Sequence, residues 1–172
     1  MQLVIISGPP NAGKSATAEA LCQRYDRMFH IDVDVLRGFL RMGKLRPWDE
    51  SPEGQRQRDL FIASAMDMAC RFLDAGYGVV IDDVITGDDL PAYRDALAGR
   101  AEPVHFVVLL PSLQAMLARG TREPDRARAL HERFATWKGV AVIDPGGLAP
   151  EVVADRVMAL AAEGRALLPV KG

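Results

Sequence analysis

Apolar residues fall along this chain in two alternating rhythms. Short runs with consecutive apolar positions, Leu3–Ser7, Met28–Val33, Gly78–Asp82, Val104–Leu110 and Val140–Ile143, predict five strands. Val79-Val80-Ile81 and Phe106-Val107-Val108-Leu109-Leu110 are apolar on successive residues, the pattern of strands covered on both faces. Between the runs, a three- and four-residue period predicts helices over Lys14–Tyr25, Val35–Met42, Gly54–Ala75, Asp89–Ala98, Leu113–Arg119, Arg126–Trp137 and Pro150–Glu163. The third shows the period best, with Leu60, Phe61, Ala65, Met68, Ala69, Phe72 and Leu73 on one stripe and Gly76 as its stop. Strands alternating with helices predict an α/β fold in three layers, a five-stranded parallel sheet flanked by helices. The stretch Gly43–Glu53, holding Pro47, Trp48 and Pro52, is the longest irregular segment and is expected to be a mobile loop. With no internal repeat and no linker, residues 1–172 are expected to form a single domain.

Composition narrows the class. The 172 residues are 49% hydrophobic and 26% charged, which is enough apolar surface for a full core and argues against a disordered chain. Their 21 Lys+Arg against 23 Asp+Glu leave a net charge of −2, which argues against wrapping a nucleic acid or coating an anionic membrane. Cys22 and Cys70 are too few for a disulfide scaffold and lack partners at metal-ligand spacing, so both read as small hydrophobes. No apolar stretch reaches the roughly 20 residues that span a bilayer, and the apolar start lacks the basic segment of a signal peptide. A cytoplasmic protein is the expectation.

The chemistry is written most sharply in Gly8-Pro9-Pro10-Asn11-Ala12-Gly13-Lys14-Ser15, which satisfies G-x-x-x-x-G-K-[ST] directly after a predicted strand and at the start of a predicted helix. Glycines let the backbone curl so that successive N–H groups face inward, and the helix N-terminus adds its partial positive charge to the same anion site. Gly8, Pro9, Pro10, Asn11, Ala12, Gly13, Lys14, Ser15 and Ala16 are therefore the expected cradle for ATP. Lys14 is expected to contact the β- and γ-phosphates, and Ser15 to place its hydroxyl on Mg²⁺.

Two pairs of acids end strands on the edge where such sheets bind ligands: Asp32 and Asp34, and Asp82 and Asp83. Asp82 closes an apolar strand and is the expected metal carboxylate, with Asp83 turned to the other side or into the loop. Asp34 is the candidate general base, with Asp32 its rival; a bland reading makes Asp34 the N-cap of the following helix. Arg37 follows Asp34 by about one turn, placed to bind an anionic substrate group, to steer the carboxylate, or simply to sit solvated at the surface. Further on, Arg119, Arg122, Arg126 and Arg128 are punctuated by Gly120 and Pro124, as in a hinged lid over about 119–135 whose arginines reach the triphosphate. His30, His105 and His131 show no nucleophile signature and read as structural. Trp48 is a candidate cover for an acceptor, and Asp144-Pro145-Gly146-Gly147 a candidate loop for the nucleotide base.

Together with Val33-Asp34 followed by Leu36, Ile81-Asp82-Asp83-Val84 and the spacing of Arg119, Arg122 and Arg126, the phosphate motif resembles small P-loop kinases related to chloramphenicol phosphotransferase, with shikimate, gluconate and adenylate kinases as more distant relatives. The resemblance implies the P-loop NTPase fold of adenylate-kinase type with an arginine-bearing lid. It also implies a Mg-ATP donor, transfer of phosphate to a hydroxyl of a small molecule such as an antibiotic, and a catalytic carboxylate at Asp34. Between Gly43 and Gln57, where the acceptor pocket is expected, the match to the chloramphenicol enzymes lapses. Two other functions stay open. A nucleotide or polynucleotide 5′-hydroxyl kinase would need acceptor anion sites, for which Arg37, Arg56 and Arg58 are candidates. A non-catalytic ATP-binding switch would need no acceptor; a GTPase is disfavoured by the lack of an Asn-Lys-x-Asp motif.

Overall fold

The computed structural model describes residues 2–120 and 123–168. Its elements in chain order are β1 (Leu3–Ser7), α1 (Lys14–Cys22), β2 (Met28–Asp32), α2 (Val33–Arg37), α3 (Pro52–Asp74), β3 (Gly78–Asp82), α4 (Leu90–Ala96), β4 (Val104–Leu109), α5 (Leu113–Ala118), α6 (Pro124–Ala135), β5 (Ala141–Ile143) and α7 (Pro150–Ala162). The strands pair in parallel in the order β2-β3-β1-β4-β5. This is the expected five-stranded α/β sheet.

The doubly apolar strands divide their side chains by alternation, as the period of two requires. Leu3, Ile5, Val79, Ile81, Val104, Phe106 and Val108 pack into a core beneath α3 and α4. Val4, Ile6, Val80, Val107 and Leu109 pack into a second core with α1 and α7 on the opposite face. Burial on both faces is why these strands carry no polar alternation.

Helix ends follow local capping more than the apolar period. Asp32, and not Asp34, caps α2: its Oδ1 accepts from the Val35 amide at 3.0 Å, so α2 starts at Val33 and β2 stops one residue early. That helix ends at Arg37, well short of Met42, with Gly38 as its C-cap. The long helix starts earlier than expected because Ser51 Oγ accepts from the Gly54 amide at 3.1 Å with Pro52 in the first turn; with α2 ending early, the irregular stretch runs over 38–51. Pro124 likewise opens α6 two residues before the expected Arg126, and that helix ends at Ala135 rather than Trp137. The first helix stops at Cys22 rather than Tyr25. Among the described residues no helix is long and apolar enough to cross a membrane.

Leu21 lies fully buried in the core between α1 and α7. Its truncation in Leu21→Ala is expected to lower the unfolding free energy by about 2–5 kcal/mol, read as a fall in denaturation midpoint at unchanged slope.

Candidate active site

The order β2-β3-β1-β4-β5 puts β1 at the point where the chain changes direction across the sheet, and a crevice opens beyond its C-terminal end. Ser7 ties that end down: its Oγ donates to the Ile85 carbonyl at 2.8 Å and accepts from the Ile85 amide at 3.0 Å. The loop that follows turns through left-handed backbone at Gly8 (φ 144°), Asn11 (φ 61°) and Gly13 (φ 92°). At Gly8 a Cβ would lie 2.2 Å from the Leu109 carbonyl oxygen, so close approach of β4 as well as φ demands glycine. No side chain caps α1 at Gly13. Its first amides thus carry the anion-attracting end of the helix without an internal side-chain acceptor. Lys14 is buried, with Nζ 3.3 Å from the Pro9 carbonyl that accepts its hydrogen bond. Burial pulls the Lys14 ammonium below the usual lysine range against the opposing pull of Asp82, Asp34, Asp83 and Asp32.

Those acids divide into two sides. Asp82 and Asp83 are each only 3% exposed, and neighbouring residues leaving a strand point to opposite faces. Asp82 turns to the phosphate loop, where Oδ2 accepts from Ser15 Oγ at 2.7 Å and Oδ1 lies 2.6 Å from His30 Nε2. Burial disfavours the imidazolium of His30, but the hydrogen bond and charge of Asp82, with Asp32 and Glu19, outweigh it and hold its pKa above the ordinary value.

Asp83 turns the other way into a buried network. Arg37 donates from Nη1 and Nη2 to its two carboxylate oxygens at 2.8 and 3.2 Å, and Tyr93 donates its hydroxyl to Oδ2 at 2.9 Å. Burial, and then the Asp83 charge, push the Tyr93 phenol well above its ordinary range, so it stays a donor. Arg37 is therefore not a solvated surface charge. Its Nη1 also reaches Asp34 Oδ1 at 3.0 Å, holding a carboxylate whose side chain is 67% exposed.

A cavity of about 460 Å³ runs from Pro10 of the phosphate loop past Asp34 and Arg37 to Trp48, Arg58 and Arg126. Asp34 lines it; Asp32, spent on capping, does not. Arg58 spends its guanidinium on the Pro47 and Asp49 carbonyls at 3.0 and 2.8 Å and on Gln55 Oε1 at 2.6 Å, and Arg56 is exposed outside the lining. Of the three arginines considered for an anionic acceptor, Arg37 and Arg58 thus line the cavity and Arg56 does not.

The arginine segment splits between two places. Arg119 Nη1 donates to the Asn11 carbonyl at 2.8 Å, and Asn11 Nδ2 donates to the Gly120 carbonyl at 2.6 Å, so the segment's root rests on the phosphate loop. Arg126 instead stacks on Trp48, 3.9 Å from the ring centroid. Arg122 lies outside the described residues. Near β5, Asp144 Oδ1 accepts from the Gly146 amide at 2.8 Å, forming a tight turn at the same sheet edge. His131 Nε2 contacts the Pro111 carbonyl at 2.9 Å and His105 is buried in β4, both away from this cavity. His30 reads in the sequence only as a structural histidine and Tyr93 goes unmarked there; the register Asp32↔Asp82 is what puts His30, two residues back on the same face, beside Asp82.

Residues 3–141 match the family described as AAA domain. The chain belongs to the AAA-domain family. No curated protein sequence matches it. Among solved structures, the tunicamycin resistance protein of Deinococcus radiodurans is 22% identical over 98% of each chain, with a TM-score of 0.69. The APS kinase of Mycobacterium tuberculosis, solved with AMPPNP and APS, is 18% identical over 94% of this chain and 97% of its own, at 0.71. Shikimate kinase from Acinetobacter baumannii, solved with shikimate, is 16% identical over 95% and 94%, at 0.64. At these identities the likeness carries the fold, that of the P-loop kinases.

Replacing Arg37 by alanine leaves the Asp83 carboxylate buried without its cation and is expected to cost about 3–5 kcal/mol of stability. Adding Asp83→Asn in the same chain is expected to recover part of that loss, a coupling that a double-mutant cycle of denaturant unfolding measures.

Proposed function

We propose that this chain is an ATP-dependent phosphotransferase that moves the γ-phosphate to a hydroxyl of a small molecule. The observation that carries the reading is that Pro10 of the phosphate loop and Asp34 line one and the same cavity. Donor and acceptor would meet there, between the loop's amides and a carboxylate able to take a proton.

In this reading the backbone N–H groups from Asn11 to Ala16, which Pro9 and Pro10 cannot supply, and the Lys14 ammonium hold the β- and γ-phosphates. Ser15 Oγ and Asp82 Oδ2, 2.7 Å apart, are hard oxygen donors suited to Mg²⁺, which usually binds few protein ligands and keeps water and phosphate for the rest. When bound, Mg²⁺ would offset charge on the phosphates. Arg37 occupies Asp34 Oδ1, which leaves Oδ2 for the acceptor. Asp34 accepts the hydroxyl proton as the acceptor oxygen bonds to the γ-phosphorus and the bond to the β-phosphate oxygen breaks, with ADP leaving. Arg119, resting on the phosphate loop, and Arg126 belong to a lid over about 119–135 that excludes water during transfer. The Asp144–Gly147 turn is the proposed neighbour of the nucleotide base. Use of ATP and two free cysteines fit a cytoplasmic setting. An antibiotic is one case within the proposed acceptor class, supported by the shared fold with the tunicamycin resistance protein.

The test is acceptor-dependent ADP release across a panel of hydroxyl-bearing metabolites and antibiotics, followed by product mass. Lys14→Ala is expected to lose about 10²–10³-fold in turnover, and Asp34→Asn about 10²–10⁴-fold while still binding ATP in calorimetry. Wild-type turnover by Asp34→Asn would remove Asp34 as the base.

A further inference from the structure

A second cavity, of about 220 Å³, adjoins the acceptor cavity between the loop after β3 and the C-terminal end of α6. Thr86, Asp88 and Arg133 line both, so the two are neighbours across that wall. The wall is soft where Arg133 pairs with Asp88, because that ion pair joins exposed side chains and is worth little in water. Gly87, Phe134, Thr136 and Trp137 line the second cavity and not the first. Phe134 is buried, and the Trp137 ring is tilted against Phe134 and Phe106 at centroid distances of 6.1 and 5.4 Å, which fixes an aromatic wall. An apolar cavity of about 150 Å³ holds a benzene, so this space takes a six-membered ring.

Gly87 is an independent sign that the space is for something. Its backbone lies outside the left-handed region, so conformation does not call for glycine there. Crowding does not call for it either. A Cβ on Gly87 would meet nothing within 4 Å, whereas on Gly38, Gly54, Gly78 and Gly146, the other described glycines outside that region, it would lie 3.0 Å or less from another atom. A glycine also loses more freedom on folding than a residue with a side chain, so this one carries a cost without a local cause. What its missing side chain leaves free is room at the second cavity.

Resting on the kinase reading above, we propose that the acceptor is a molecule of two parts: its reacting hydroxyl lies at Asp34, and a second part, an apolar ring, seats in the adjoining cavity against Trp137 beside Gly87. The two cavities share a wall and open at the same sheet edge, so one molecule can occupy both by passing the Arg133–Asp88 pair. Binding of the remote ring then holds the hydroxyl in place for transfer.

Matched probes with and without a ring test it. Acceptor-dependent ADP release is measured for gluconamide against its N-benzyl, N-phenethyl and N-phenylpropyl derivatives, and for methyl against phenyl and benzyl glucosides. Binding of each is followed by calorimetry in the presence of a non-hydrolysable ATP analogue. The ring-bearing member at the fitting linker length is expected to lead by about tenfold or more in kcat/KM or affinity, the gain from taking part of a ring out of water. Gly87→Phe fills the second cavity and is expected to remove that lead, whereas Gly87→Ala, which adds only a Cβ where space is open, is expected to keep most of it. Ring-bearing compounds of every linker length that do no better than their ring-free twins overturn the inference and leave the kinase reading standing. A lead that persists in folded Gly87→Phe, or that is lost equally in Gly87→Ala, overturns it as well. A wider acceptor panel in which nothing turns over while ATP still binds takes down the kinase reading, and this inference with it.

Discussion

Two adjacent buried carboxylates at the end of one strand organise the crevice. Burying a carboxylate costs several kcal/mol unless charge and hydrogen bonds compensate it, so Asp82 and Asp83 oblige the chain to bring donors to them. Because they leave β3 toward opposite faces, those donors gather in two groups: Ser15 and His30 around Asp82, Arg37 and Tyr93 around Asp83. The first group sits against the phosphate loop, and the second reaches Asp34 and the cavity. One dipeptide thereby separates the proposed donor side from the proposed acceptor side, and the rigidity of a strand hydrogen-bonded on both flanks fixes the distance between them.

The loops around the site are fastened to this centre through weaker contacts. Asn11 and Arg119 join the phosphate loop to the root of the arginine segment, and Trp48 and Arg126 join the acceptor-side loop to α6. Arg46 adds a contact to Glu123 at 3.0 Å between exposed groups, worth little by itself in water. These contacts cross from one side of the crevice to the other, so movement of α6 would be felt at Trp48. The strands and buried acids beneath are held by ladder hydrogen bonds and burial.

The legible features were those whose cause is local. A doubly buried strand has to be apolar at most positions, so β1, β3 and β4 stand out in the sequence; a loop that must turn through left-handed backbone and offer amides has to be written with Gly8 and Gly13. Helix ends were legible only to within a few residues, because Asp32 and Asp34 both have capping chemistry and the choice between them is made by where β2 stops pairing with β3. Contacts between distant segments were not legible. In the sequence Arg37 could bind an anion, steer Asp34 or sit solvated, and none of these readings includes Asp83, 46 residues on, which the fold brings beside it. Trp48 and Arg126 each stood out by residue type, but their pairing depends on how α6 lies across the loop.

The separation of the two sides is open to direct measurement by calorimetric ATP titrations with and without Mg²⁺, on Asp82→Asn and on Tyr93→Phe, the latter a milder change than removing Asp83. Loss of the Mg²⁺-dependent part of ATP affinity is expected in Asp82→Asn, whereas Tyr93→Phe should keep that affinity and lose acceptor kcat/KM. Mg²⁺-dependent ATP binding that survives in Asp82→Asn and disappears in Tyr93→Phe would contradict the division of the crevice by this pair of carboxylates.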